Sequence, residues 1–177
     1  GIYIDNSQPI ISNTLIQDNN GAAGGAIYME NSTTAEIQNV HFTGNHSFGE
    51  GWSGTGGAIY IKGNSQANFY YSLFENNSSN SAGGAIYMSG ASVELNNVTM
   101  ANNSSTWGGG AIYINQGCAL RTLTNLTVHN SIIHQNFENT EGNNIFSEPC
   151  DDTNIFIQYS NVDLINSYIG QGNLNIF

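Results

Sequence analysis

The chain has 177 residues, enough for one domain with a real core, and its composition is skewed: 21 Gly, 28 Asn, 2 basic and 13 acidic residues, with a net charge of -11. Two basic residues exclude nucleic acid and anionic membrane surfaces as partners, because phosphate binding needs clustered Lys and Arg. No apolar run approaches the roughly 18 residues of a membrane span, so direct membrane insertion is not expected.

Gly1-Ile2-Tyr3-Ile4 opens the chain as a truncated copy of Gly-Gly-Ala-Ile-Tyr, which then occurs in full at Gly24 to Tyr28, Gly56 to Tyr60, Gly83 to Tyr87 and Gly109 to Tyr113. A degenerate copy runs from Gly142 to Phe146. Between the Ile markers (Ile2, Ile27, Ile59, Ile86, Ile112, Ile145) the steps are 25, 32, 27, 26 and 33 residues, the range of solenoid repeats. After each copy comes an apolar residue, a turn residue and a short alternating run: Ile37, Asn39, Val40, Phe42, Asn45; then Phe69, Tyr71, Ser72, Phe74, Asn77; then Leu95, Asn97, Val98, Met100, Asn103; then Val128, Asn130, Ser131, Ile133, Asn136.

None of these runs keeps a helical period, and turns rich in Gly, Asn and Ser separate them, so they are predicted strands. In the first strand Ile and the residue two further on (Ile4, Met29, Ile61, Met88, Ile114) face inward, which turns Tyr and the following polar slot outward. Each strand pairing with its equivalent one repeat later predicts an all-β, right-handed parallel β-helix of about six rungs with three short strands each, a single domain over 1-177. The start without Met, the stop in mid-repeat and the lack of a visible cap lead us to expect a segment of a longer exported polypeptide, or subunits that stack end to end.

Gly-Gly reads as a tight turn needing positive φ, not as a phosphate cradle, since no helix follows it. Asn13, Asn39, Asn97 and Asn130, and the second set Asn19, Asn45, Asn77, Asn103 and Asn136, read as left-handed turn residues whose stacked amides bond to one another. Sequons fall at Asn31, Asn45, Asn76, Asn77, Asn97, Asn102, Asn103 and Asn125. They are glycosylation candidates, or by-products of that turn chemistry.

The pairing of Gly-Gly-Ala-Ile with Phe-x-x-Asn (Phe42 to Asn45, Phe74 to Asn77) resembles the repeat signature of the chlamydial polymorphic membrane proteins and of related β-helix repeats on bacterial surfaces. The resemblance covers about residues 1 to 136. It implies an extracellular or cell-surface location and an adhesin role, without bringing catalytic residues.

Cys118 and Cys150 follow the first strands of adjacent rungs, and a strand spacing of about 4.8 Å suits a disulfide; two free thiols are the alternative. Asp5, Glu30 and Lys62 occupy one outward slot in consecutive rungs. That array suits acid-base work on a polysaccharide, or is a solvated ion pair; we expect the latter and no enzyme activity. No cofactor and no metal site is expected, because Asp151-Asp152 alone is too little for calcium and no Cys-x-x-Cys or nearby His pair exists.

The column Tyr3, Tyr28, Tyr60, Tyr87, Tyr113, with Trp52 and Trp107 in nearby loops, is the candidate interface. It would serve as a stacking platform for a glycan, as a lateral protein contact, or as a ladder that stabilises the strands. The expected function is therefore a non-enzymatic adhesin, spacer or fibre subunit, with a carbohydrate-binding module as the alternative and a polysaccharide lyase or hydrolase third.

Overall fold

A computed structural model of the chain describes residues 1–49, 53–115, 123–139, 144–148, 153–163 and, as backbone, 173–176. Every strand pairing in it is parallel, and no helix occurs among the described residues. The chain is an all-β parallel solenoid. Its first sheet stacks six strands: Ile2–Asp5, Ile27–Glu30, Ile59–Lys62, Ile86–Ser89, Ile112–Asn115 and Ile145–Ser147. Six rungs in this sheet correspond to about five complete turns between its first and last strands.

Register follows the apolar slots. Ile2, Ile27, Ile59, Ile86, Ile112 and Ile145 are direct partners along the first sheet, and the tyrosines pair in the neighbouring column. In the second sheet Ile11, Ile37, Phe69, Leu95, Val128 and Ile157 form one column and Ile16, Phe42, Phe74, Met100, Ile133 and Val162 another. A one-residue slip would turn each set outward, which is why the pattern fixes the pairing so firmly. The core is a continuous apolar column within the coil. Phe42 and Phe74 stack at 4.6 Å between ring centres, while Phe69 meets both edge-on.

Between Phe-x-x-Asn and Gly-Gly lies a third ladder of two-residue strands, Asn20–Gly21, His46–Ser47, Ser78–Ser79, Ser104–Ser105 and Phe137–Glu138. The two glycines of the turn do different work. Gly24, Gly56, Gly83 and Gly109 have φ between 61° and 70°, as a tight turn requires. The second glycine is demanded by crowding: a Cβ on Gly57 would lie 2.1 Å from the Gly84 carbonyl oxygen of the next rung. Ala26, Ala58, Ala85 and Ala111 are completely buried behind it.

The two Asn columns also differ. Asn13, Asn39, Asn97 and Asn130 are left-handed, with φ of 47° to 55°, as the sequence predicts. In the second set the left-handed residue is the preceding one (Asp18, Gly44, Asn76, Asn102, Gln135), which corrects the expectation for Asn19, Asn45, Asn77, Asn103 and Asn136. That turn sends the Asn side chain inward. Each Nδ2 then donates to the Oδ1 of the next rung at 2.8–3.1 Å, in an unbroken ladder from Asn19 through Asn45, Asn77, Asn103 and Asn136 to Asn144.

The glycosylation candidates Asn45, Asn77 and Asn103 are thereby corrected. Their side chains are fully buried, and each Nδ2 also donates to a backbone carbonyl, so the folded protein offers no amide for a sugar. Asn31, Asn76, Asn97 and Asn102 are exposed and Asn125 is half-buried.

Candidate functional site

The outward tyrosine column forms as the register requires. Successive ring centres lie 5.6, 4.9, 5.1, 5.4 and 5.0 Å apart from Tyr3 to Phe146, with interplanar angles of 27° or less. Stacking at the strand repeat has a consequence for binding. Each interior ring uses both faces on its neighbours, so the column offers a ligand ring edges, whereas packing on a sugar needs a face. The column is also covered toward its C-terminal end. Tyr3 is 62% exposed and Tyr28 and Tyr60 are half-buried, but Tyr87 and Tyr113 are only 2% and 8% exposed.

Ala82 packs against these rings, and Gly108 sits so close to Tyr113 that a Cβ there would meet the ring at 3.0 Å. The expectation of a bare strip along the whole rod is corrected on this point: Tyr87 and Tyr113 belong to a small second core outside the coil. Of the loop aromatics, Trp107 is 54% exposed. Trp52, Cys118 and Cys150 lie outside the described residues, as does Asp151-Asp152.

Electrostatics follow the same gradient. At the open end Glu30 accepts a short hydrogen bond from the Tyr3 hydroxyl, a longer one of 3.4 Å from Tyr28, and an ion pair of 3.0 Å from Lys62. Its carboxyl is held below the ordinary glutamate range by Tyr3 first and Lys62 second. The Tyr3 hydroxyl is correspondingly pushed from 10.0 up to about 12, chiefly by its bond to Glu30.

Lys62 sits 5.4 Å from the centre of the Tyr28 ring. Asp5 instead accepts from the Asn31 amide at 2.8 Å. Within that slot Glu30 and Lys62 form an ion pair bordered by the Tyr3 and Tyr28 rings, and Asp5 stands outside it. At the covered end the Tyr113 hydroxyl donates to Glu148 at 2.8 Å, and Tyr87 accepts from Asn115. Burial pushes the Tyr60, Tyr87 and Tyr113 hydroxyls upward.

Among the described residues no group of three or more His, Cys, Asp or Glu is placed to hold a metal. The histidines are scattered: His41 pairs with Glu75 at 2.9 Å, His46 with Ser78 at 2.8 Å, and His134 lies 3.9 Å from Asp163.

Sequence reasoning missed Tyr71 and Tyr159. Both stand in the left-handed corner column that other rungs fill with Asn, at φ of 51° and 48°, and they are 62% and 79% exposed. The signal was present in the aligned repeats, where Tyr71 falls between Asn39 and Asn97.

Regular inward columns, an amide ladder and outward stacked rings define a parallel β-solenoid repeat protein. Three segments, residues 39–62, 71–89 and 97–115, match the Chlamydia polymorphic membrane protein (Chlamydia_PMP) repeat. Each segment runs from the corner residue of one rung, or close to it, to the end of the next first-sheet strand, so the sequence repeat and the structural rung coincide. No curated protein and no solved structure gives a significant match.

Proposed function

We propose that the chain is a non-enzymatic module of a surface-displayed β-solenoid, acting as an adhesin, a spacer or a fibre-forming subunit. The observation that carries this reading is the triple match to the polymorphic membrane protein repeat, in phase with the rungs. That family's name points to a location at an outer membrane or cell surface, and a rod with one regular rung after another suits display of a partner site away from that surface.

The motif residues support a structural rather than chemical role. Ile and Ala fill the core, Asn closes the buried ladder, and the carboxylate of Glu30 is engaged by Tyr3, Tyr28 and Lys62. Partners are then a protein surface or a glycan.

Cells producing the protein natively, stained with antibody against residues 1–177, are expected to label without permeabilisation; labelling only after permeabilisation would refute surface display. Negative-stain microscopy of the purified chain separates the assembly forms, with filaments favouring a fibre and isolated short rods favouring an adhesin or spacer.

A further inference from the structure

The corner around Tyr71 differs from every other corner of the second sheet up to Asn130. A bulky residue in the left-handed region is unfavourable by roughly 1 kcal/mol or more, and Asn is the residue that tolerates it. Asn13, Asn39, Asn97 and Asn130 follow that rule, while Tyr71 keeps the same backbone at a cost to stability. Its ring fills no core: it is 62% exposed, and no other ring stacks on it among the described residues.

Tyr71 lines an open groove of about 360 Å³ together with the apolar Leu15 and Leu73 and the polar Asn13, Asn39 and His41. Asn39 Nδ2 donates to Asn13 Oδ1 at 2.9 Å. The bond links the two exposed corner amides and uses one donor of Asn39 and one acceptor of Asn13, so amide donor and acceptor capacity is left on the pair. His41 is anchored to Glu75 through Nε2 at 2.9 Å.

We propose that this groove binds an uncharged saccharide. The exposed ring of Tyr71 takes the C–H face of a pyranose, Leu15 and Leu73 add apolar contact, and the amides of Asn13 and Asn39 take hydroxyls. The groove contains no Lys or Arg, its one imidazole is tied to a carboxylate, and the chain carries a net charge of -11, so sulfated or uronic-acid sugars are disfavoured. An extended peptide is a poorer fit, since the corner backbone is already in ladder bonds, Tyr71 N–H donating to Asn96 at 3.1 Å. The site is separate from the tyrosine column and does not depend on surface display: the purified chain can bind where cell labelling fails, and the reverse.

The test uses the purified 177-residue chain with chitotetraose and cellotetraose, read by saturation-transfer NMR and titration calorimetry, and a heparin-derived tetrasaccharide as the acidic comparison. Binding of a neutral tetrasaccharide is expected, and Tyr71→Asn is expected to weaken it at least about tenfold, the size of a lost stacking contact. Because Tyr71→Asn restores the residue that other corners use, its urea midpoint should stay level or rise, which distinguishes loss of a ligand contact from loss of fold. Tyr159→Asn, the same exchange at an exposed corner outside the groove, should leave affinity unchanged. No neutral binding, a preference for the heparin fragment, or equal affinity in Tyr71→Asn would each overturn the proposal.

Discussion

Two asparagines six residues apart in one rung look interchangeable in sequence and have opposite fates. Asn97 turns the corner with its side chain in water, whereas Asn103 lies in the buried amide ladder. The difference originates one residue earlier, where Asn102 rather than Asn103 takes the left-handed conformation. Removing a ladder member orphans several groups at once. Asn77→Ala leaves the Phe42 carbonyl without its donor and strips the acceptor from both the backbone N–H and the Nδ2 of Asn45.

At roughly 1–3 kcal/mol for each buried group left unpaired, this exchange is expected to cost about 3–5 kcal/mol. Asn97→Ala should cost about 1 kcal/mol, the left-handed preference alone. Urea unfolding of the two variants compares them; equal midpoints would show that the ladder contributes nothing beyond turn geometry.

At the scale of the strand and its turn, much was legible. The Ile column, the Phe42 and Phe74 column and the tyrosine column were all read in correct register, because burial repeats strictly every second residue and any slip inverts it. The covering of Tyr87 and Tyr113 was not legible. It depends on how closely Ala82 and Gly108 approach the rings, a distance set by the path of loops whose lengths differ between rungs. The strained corner at Tyr71 was visible as a substitution in the aligned repeats, but its groove depends on side chains from three successive rungs, which sequence spacing alone does not bring together.

The second glycine of each turn is the element-scale point most open to test. Gly57→Ala would place a methyl 2.1 Å from a backbone oxygen of the next rung, and backbone on both sides is fixed by ladder bonds. A loss of at least about 3 kcal/mol is expected, against a small effect for Ser53→Ala at an exposed residue just before the turn. Circular dichroism during urea unfolding reads both; a Gly57→Ala protein with wild-type stability would mean that the rungs can separate locally without cost.

Over the whole molecule, the stacked tyrosines connect stability to alkaline pH. Tyr87 and Tyr113 are nearly sealed from solvent, and burial keeps their hydroxyls protonated well above 10.0, where the unfolded rings ionise. Raised folded-state values mean that the native chain holds more protons than the unfolded one above that pH. The contribution is therefore complete below about pH 10 and declines as pH rises toward the folded values. Once the unfolded rings are fully ionised, the two buried hydroxyls together lower stability by about 2.7 kcal/mol for each further pH unit.

Tyr87→Phe removes one titrating group while keeping the ring in the stack, and should reduce that slope by about half. Urea melts at successive alkaline pH values, paired with ultraviolet absorbance of tyrosinate, follow both quantities. Tyr3, exposed and pushed up only to about 12, is expected to ionise before the covered pair, whose tyrosinate absorbance should appear only with loss of the β-sheet signal. Ionisation of Tyr87 and Tyr113 with the fold preserved would contradict the covered stack and return the column to solvent.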